Sequence, residues 1–254
     1  MNLHYQKIGK SDKILLAFHG MGQDFSCFQK FAQTFKNQYT TYLFDLPFHG
    51  KSNVDNTIIT KEIWQEYLTE FLQENDIKGF SVISFSMGGR FALATLEAFP
   101  DKIESLILLA PDGITEDPFY YGATRSRITR NIFKKVLKNN HKFYGFADLL
   151  ARVGIVHEST VKFAKMMVNT PAKQAQLYKS WIGFRQLKYD LKKIAKLIDN
   201  QSINLQIFMG KFDKLLPVES VYPLTKRVKN YELIILESAH GGLVEKTMIY
   251  LVQR

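Results

Sequence analysis

The sequence predicts an α/β fold with a mostly parallel central sheet flanked by helices, and three observations lead to this prediction. The chain has 254 residues, 46% of them apolar, which is enough for one large domain with an insert. Short apolar runs alternate with amphipathic stretches in the first and last parts of the chain, which is the pattern of βαβ units. Between these parts, residues 114–200 show helical periodicity without a convincing strand. We therefore expect a core made of residues 1–113 and 201–254 and a helical cap insertion formed by residues 114–200.

Six segments predict the strands of this sheet. Each is a short run rich in apolar, β-branched or aromatic residues, which is typical of buried strands. In chain order they are residues 14–18, 39–46, 80–85, 103–110, 203–209 and 231–236.

Four segments predict helices, because their apolar residues recur at helical spacing. The clearest stripe contains Trp64, Leu68 and Phe71. Pro100 is expected to stop the helix that precedes it, since proline cannot continue a helix. The four segments are residues 24–36, 61–76, 86–99 and 187–198.

The composition excludes two classes of protein and suggests a compartment. With 23% charged and 13% aromatic residues, the chain has a globular composition and not a disordered one. Its apolar runs fall far short of the ~20 residues of a membrane-spanning helix, and the N-terminus has no apolar stretch of the signal-peptide type. The single cysteine, Cys27, cannot form an internal disulfide, so we expect a cytoplasmic protein.

The positive charge of the chain is concentrated in the predicted insertion. The whole chain has a net charge of +10, whereas residues 114–200 contain 17 basic and 6 acidic residues, a net of +11. A basic excess can indicate nucleic acid, an anionic surface or an anionic small molecule. The segment has no RNA-binding sheet pattern, zinc motif or helix-turn-helix signature, so we expect no nucleic-acid partner. The remaining expectations are an anionic small substrate or a surface that the cap touches.

A serine-centred motif, SFSMGG at residues 84–89, lies between a predicted strand and a predicted helix. A serine on such a sharp turn takes a strained backbone conformation, and small residues two positions before and after it prevent clashes. The usual spelling is G-x-S-x-G, and here Ser84 stands in the first glycine position. The helix N-terminus behind Ser86 offers the Met87 N–H to a developing oxyanion. Without chemistry, the same residues would be an N-cap serine and a glycine pair for close helix packing.

Four further motifs follow predicted strands at their carboxyl ends, where ligands bind in open α/β sheets. The first can direct the Met21 N–H toward the serine, and the last two bring Asp213 and His240 to the same edge. The chain order of the polar residues is thus serine, acid, histidine. The motifs are HGMG at 19–22, DLPFHGKS at 45–52, GKFDKLLP at 210–217 and SAHGG at 238–242.

Together these motifs, in this order, resemble the α/β-hydrolase family over essentially the whole chain. The resemblance implies Ser86 as nucleophile, His240 as general base and then acid, and Asp213 as the residue that orients the histidine. It also implies that the N–H groups of Met21 and Met87 form the oxyanion hole, and that the insertion is the family's cap, placed after the sixth strand. No metal or organic cofactor is implied, because the histidine and the hole supply the chemistry.

Other polar and aromatic residues are alternatives or supplements to this set. Asp112 also ends a predicted strand and rivals Asp213 as the acid. Arg90, Arg125 and Trp181 are candidate substrate contacts. No His, Asp or Glu spacing matches a metal motif, so we expect no metal site and interpret the histidines at 19 and 49 as residues that fix loops.

Three functions remain open at this stage, because the fold does not define the reaction. A cofactor-independent serine hydrolase of carboxylic esters or thioesters is the first. The second follows from Arg90, since the elbow SMGGR is similar to that of the menaquinone-pathway lyase that eliminates pyruvate (SHCHC synthase). The third is a non-catalytic, hydrolase-like binding protein. The sequence leaves the oligomeric state, the acyl chain and the leaving group open.

Overall fold

Seven strands form a single sheet in the computed structural model, which describes residues 3–55, 57–154 and 157–254. The strand order across the sheet is β1-β3-β2-β4-β5-β6-β7. Only β1 runs antiparallel to its neighbour, and every other pair is parallel. The strands are β1 (Tyr5–Ile8), β2 (Ile14–Phe18), β3 (Thr40–Phe44), β4 (Phe80–Phe85), β5 (Ile103–Leu109), β6 (Asn204–Gly210) and β7 (Glu232–Leu236).

The predicted α/β fold with a mostly parallel sheet is confirmed, and one strand was missed. β2, β3, β4 and β5 are fully or mostly buried, which explains why continuous apolar runs predicted them. β1 has only four residues, YQKI, three of which are not buried, and it lies at the sheet edge. A short edge strand of mixed polarity gives no periodic signal in the sequence.

Eleven α-helices lie in the described part of the chain, and none of them is long and apolar enough to cross a membrane. Five belong to the chain on either side of the insertion: α1 (Gln29–Thr34), α2 (Lys61–Glu74), α3 (Gly88–Ala98), α10 (Tyr222–Thr225) and α11 (Leu243–Val252). Six lie between β5 and β6: α4 (Pro118–Thr124), α5 (Arg127–Lys138), α6 (Asn140–Arg152), α7 (Glu158–Met167), α8 (Pro171–Gly183) and α9 (Leu191–Asn200).

The helix α2 shows how the sequence determines a helix that covers the sheet. Thr60 caps its N-terminus by accepting a hydrogen bond from the Ile63 N–H, which satisfies one of the free amides of the first turn. Trp64 on its buried face packs edge-to-face against Phe91 of α3, and its Nε1–H donates to Thr95. Burial of large side chains of this kind stabilises the fold by about 2–3 kcal/mol each.

The helical insertion follows the fifth strand of this chain, which corrects the expected position after the sixth. In the described residues only one strand, β1, precedes the parallel series, so β5 is the fifth in chain order. The insertion nevertheless leaves the sheet between two neighbouring parallel strands, since β5 pairs directly with β6.

Two hydrophobic clusters divide the molecule unevenly. The main cluster contains the sheet and also Ile194, Ala195 and Ile198 of α9. A second, smaller cluster joins α5, α7 and α8, with Leu137 and Leu177 among its buried members. The division of the chain at residues 114 and 200 remains a prediction, and this packing favours assigning α9 to the core.

Candidate active site

The turn between β4 and α3 holds Ser86 in a left-handed conformation with φ = 52°. Three backbone hydrogen bonds fix this turn. The Ser86 N–H donates to the Leu109 carbonyl at 2.9 Å, and the Ser86 carbonyl accepts from the N–H groups of Gly89 at 2.8 Å and Asp112 at 2.9 Å. A non-glycine residue in this region is strained, and such strain is characteristic of functional turns.

Two glycines that follow Ser86 after Met87 are required by close packing. A Cβ at Gly88 would lie 2.2 Å from the carbonyl oxygen of Phe18, and a Cβ at Gly89 would lie 2.7 Å from that of Asp112. Both distances are far below van der Waals contact. The glycine pair lets α3 approach the ends of β2 and β5, so that Ser86 stands beyond the edge of the sheet. Ser84, which replaces the usual first glycine, is fully buried within β4.

The serine, histidine and acid of the predicted triad lie in one chain of hydrogen bonds. His240 Nε2 is 3.0 Å from Ser86 Oγ, and His240 Nδ1 is 2.6 Å from Asp213 Oδ2. The other carboxylate oxygen of Asp213 accepts from the N–H groups of Leu215 and Leu216 at 2.8 and 3.0 Å. With these donors, Asp213 accepts the Nδ1 proton, which leaves Nε2 free to accept the serine proton.

The turn after β2 contains an N–H group without a protein acceptor among the described residues. Gly20 N–H donates to the side chain of Gln23 at 3.0 Å, and Gly22 N–H donates to His49 at 3.2 Å. Among the described residues, no protein acceptor takes the N–H of Met21, which lies between them, or that of Met87. Met21 lines the same cavity as Ser86, and Met87 follows Ser86 in the chain, so these two amides are candidates for oxyanion-hole donors.

Two buried histidines hold this turn. His19 Nε2 accepts from Leu46 N–H at 3.0 Å, and its Nδ1 bonds the Gly20 carbonyl. His49 accepts from Gly22 through Nε2 and bonds the Pro47 carbonyl through Nδ1. Burial lowers the pKa of His19 to about 3, with His49 adding to the effect, and burial also lowers the pKa of His49. Both are therefore neutral, and each imidazole spans two backbone groups.

A cavity of about 410 Å³ opens at Ser86 and His240. Its walls are largely apolar and come from the core and from the insertion alike. Besides His240, the charged or titratable side chains in its described lining are two lysines, Lys173 of α8 and Lys214 after β6, and no carboxylate lines it. The apolar walls include Met21, Phe85, Phe163, Met166, Met167 and Phe212.

The rival acid, Asp112, is engaged elsewhere. Its carboxylate forms a two-point ion pair with the Arg90 guanidinium, with distances of 2.6 Å to Nε and 3.0 Å to Nη2. Arg90 is almost fully buried, also donates to the Leu187 carbonyl and stacks over the Tyr120 ring. The pairing holds the Arg90 guanidinium charged. Arg90 therefore belongs to a buried network behind the elbow and lies outside the described lining of the cavity.

The other two candidate substrate contacts also lie outside that lining. Trp181 stacks on Phe133 of α5 at 5.0 Å and meets Tyr120 edge-to-face at 5.3 Å, so it packs within the cap. Arg125 is exposed at the end of α4, with its guanidinium 6.0 Å from the Tyr121 ring. The structure thus gives these side chains partners within the insertion.

Sequence reasoning missed the cavity-lining residues of the insertion. Phe163, Met166 and Met167 lie on α7, and Lys173 lies in the first turn of α8. Their only sequence signal is a cluster of methionines and aromatics, which is equally typical of helix packing. In the described residues, no group of three or more His, Cys, Asp or Glu side chains is placed to hold a metal ion.

Comparison with known proteins adds a family and several relatives. A family model described as alpha/beta hydrolase fold matches residues 13–247. The pimeloyl-[acyl-carrier protein] methyl ester esterase of Wigglesworthia glossinidia brevipalpis is 25% identical and is aligned over 96% of this chain and 92% of its own. A Mycoplasma genitalium protein named esterase/lipase 2 is 26% identical over 135 residues, 52% of this chain. The chain spans only about half the length of that relative, 48%.

A similar solved structure is that of a thermophilic esterase from Thermogutta terrifontis. It superposes with a TM-score of 0.70 and covers 99% of this chain and 92% of its own, at 16% sequence identity. A likeness at this identity shows a shared fold and no more.

Proposed function

The chain belongs to the α/β-hydrolase family, and from this premise we propose that it is a serine hydrolase that cleaves a carboxylic ester or thioester. The observation that carries the proposal is the hydrogen-bond chain from Ser86 through His240 to Asp213 at the cavity. Two relatives, one named an esterase and the other an esterase/lipase, support the same class of reaction.

The proposed mechanism follows from what a serine hydroxyl needs. It is a weak nucleophile until a base removes its proton, and His240 Nε2 stands at hydrogen-bond distance to do so. Ser86 Oγ then bonds to the carbonyl carbon, and the Asp213 carboxylate stabilises the imidazolium. The bond from the carbonyl carbon to the leaving oxygen or sulfur then breaks, and the leaving group takes the proton from His240. Water, deprotonated by the same histidine, attacks the acyl carbon; the bond to Ser86 Oγ breaks, and the imidazolium returns its proton to Oγ.

The tetrahedral intermediate carries a negative charge that needs donors. The unengaged N–H groups of Met21 and Met87 are our candidates, and each such donor typically lowers the activation barrier by about 3 kcal/mol. The histidine braces at 19 and 49 support this role, because they fix the turn that contains Met21.

We further propose a substrate with an apolar acyl part and an anionic group. The apolar walls suit a hydrocarbon portion, and Lys173 and Lys214 supply positive charge in a lining without carboxylates. The ammonium groups of Lys173 and Lys214 would attract a small substrate that carries a carboxylate or phosphate.

Hydrolysis is favoured over the pyruvate-eliminating lyase reaction. That alternative rested on Arg90 as a partner for substrate carboxylates. The Arg90 guanidinium is instead paired with Asp112 and buried, which argues against this use.

Alanine substitution of Ser86 or His240 tests the proposal. We expect kcat on a p-nitrophenyl ester to fall by several orders of magnitude, because nucleophile and base act as a unit, with thermal stability almost unchanged. A fluorophosphonate probe should label the wild type and not Ser86→Ala. A kcat drop of less than about tenfold in either variant would contradict the assignment. Absence of labelling and of turnover in the wild type would favour the non-catalytic alternative.

A further inference from the structure

The helix α5 exposes an apolar stripe on the outside of the insertion. Ile128, Ile132 and Val136 recur every four residues and are all exposed, with 73% of Ile128 and 55% of Ile132 accessible to solvent. The helix is seated through a different part of its surface, since Phe133 and Leu137 pack in the smaller hydrophobic cluster. The stripe therefore does not contribute to the packing of the cap, and an exposed apolar surface of this kind indicates an interaction site.

The neighbouring helix also exposes apolar side chains. α6 packs against α5, and Leu149 on α6 and Val153 just after it are exposed and spaced by four residues. These side chains lie outside the described lining of the catalytic cavity, so they are not explained by the proposed reaction.

All charged side chains of α5 are cationic. Its sequence, RITRNIFKKVLK, contains five basic residues and no acidic one. Among the described residues, no carboxylate forms an ion pair with any of the five. Arg130 donates to a backbone carbonyl, and the Lys134 ammonium lies over the Tyr178 ring, which leaves their positive charge uncompensated. The five are Arg127, Arg130, Lys134, Lys135 and Lys138.

We propose that this face of α5 binds the surface of a lipid bilayer that contains anionic headgroups. The apolar stripe enters the boundary between headgroups and acyl chains, while the lysines and arginines beside it meet the negative headgroups. A helix with an apolar side and a Lys/Arg-rich side is suited to lie in the plane of such an interface. Each cation near the surface adds to binding, and the attraction decays within a Debye length.

Two other occupants fit the observations less well. A second copy of the chain, docked symmetrically through α5, would bring five cations against the same five, and like charges across an interface oppose association. An acidic protein would pair with the cations but would give the exposed isoleucines no specific role. An anionic bilayer surface would both pair with the cations and bury the apolar stripe.

Cosedimentation with vesicles tests this proposal. We expect the protein to bind vesicles of equal parts phosphatidylcholine and phosphatidylglycerol, to bind pure phosphatidylcholine much less, and to lose binding as salt is raised. Ile132→Asp should weaken binding by about tenfold or more, because it removes the apolar contact of Ile132 with the bilayer and adds a negative charge that the headgroups repel. Lys135→Glu should weaken it by about tenfold through the headgroup charge.

Matched controls lie outside the insertion. Ile249→Asp changes an exposed isoleucine of α11, and Lys226→Glu an exposed lysine after α10; both should bind like the wild type. Hydrolysis of a soluble ester should be unchanged in all four variants, which separates this proposal from the catalytic one.

Three outcomes would overturn the proposal. The first is equal binding to both vesicle types, or equal losses in the controls. The second is loss of vesicle binding in Lys135→Glu but not in Ile132→Asp, which would show electrostatic adsorption without entry of the apolar stripe into the bilayer. The third is a dimer in sedimentation velocity that Ile132→Asp disrupts while vesicles are not bound, which would assign the stripe to a second copy.

Discussion

Two aspartates end neighbouring strands beside the elbow, and their partners separate their roles. Asp213 follows β6, is buried, and directs one oxygen to His240 and the other to two backbone amides. Asp112 follows β5, is partly exposed, and holds Arg90. The first arrangement orients a histidine, whereas the second neutralises a buried cation and fixes the loop behind the elbow.

Replacing each aspartate by asparagine should therefore give different defects. Asp213→Asn should reduce kcat by about a thousandfold or more, since a neutral partner no longer favours the productive tautomer or the imidazolium. Asp112→Asn should change kcat less than about tenfold but destabilise the fold by about 1–3 kcal/mol, because Arg90 loses its counter-charge. Ester kinetics and urea unfolding of both variants measure this. A larger kcat loss in Asp112→Asn would identify it as the acid.

At the scale of residues, the sequence predicts side chains that belong to recognisable motifs, but it does not predict contacts that form only through tertiary packing. The meeting of Ser86, Asp213 and His240 at one edge of the sheet could be predicted because each follows a strand in a recognisable motif. The pairing of Arg90 with Asp112 depends on two loops meeting in space, which no spacing in the chain reveals. The same holds for Trp181, whose stacking partner, Phe133, comes from another helix.

At the scale of elements, the loop after β2 and the loop after β3 act as one unit. His19 reaches from the first loop to Leu46 of the second, and His49 reaches back to Gly22. The two rings meet edge-to-face at 5.1 Å. The position of the Met21 amide is thus determined by two neutral imidazoles, which makes the turn dependent on their protonation state.

This dependence predicts a loss of stability in acid. In the fold the pKa of His19 is lowered from 6.5 to about 3, so the unfolded chain binds a proton more readily than the native one between these values. The free energy of unfolding should therefore fall as pH drops below about 6.5, by up to ~1.4 kcal/mol per pH unit for such a histidine. Urea unfolding between pH 7 and pH 4 measures the slope.

The variant His19→Gln should show a shallower pH slope, at some cost in stability at pH 7. Glutamine keeps a donor and an acceptor but does not titrate. The matched control His157→Gln changes an exposed histidine and should retain the wild-type slope. An unchanged slope in His19→Gln would show that other groups cause the acid sensitivity.

The elements themselves were predictable to different degrees. β2 and β4 match the predicted segments at both ends, because each is a buried run with sharp turns after it. The region predicted as a helix at 24–36 is a 3-10 turn followed by a short α1, since the chain bends at Phe28. The insertion was predicted as helical, but its individual helices pack on each other, and tertiary contacts define their limits.

At the scale of the whole molecule, positive charge lies both on the outer face of the insertion and at the catalytic cavity. The net +11 of residues 114–200 sits beside a remainder with a net of −1. Part of the excess lies on the outer face of α5, and Lys173 of α8 faces the cavity together with Lys214 of the core. The proposed membrane contact of α5 and the proposed substrate contact of the cavity lysines can be tested by separate experiments. A cytoplasmic location stays a prediction.

The cavity lysines predict a preference for anionic substrates that salt removes. At low ionic strength, kcat/KM should be higher for the mono-p-nitrophenyl ester of a dicarboxylic acid than for the neutral ester of equal length, and about 1 M salt should erase the difference because the Debye length falls to ~3 Å. Lys173→Ala and Lys214→Ala should each lower kcat/KM for the anionic ester by about two- to fivefold and leave that for the neutral ester unchanged, as expected for solvent-screened charges. Lys226→Ala, outside the cavity, should change neither. Equal kcat/KM for the two esters at low salt would contradict the anionic substrate class while leaving the serine mechanism standing.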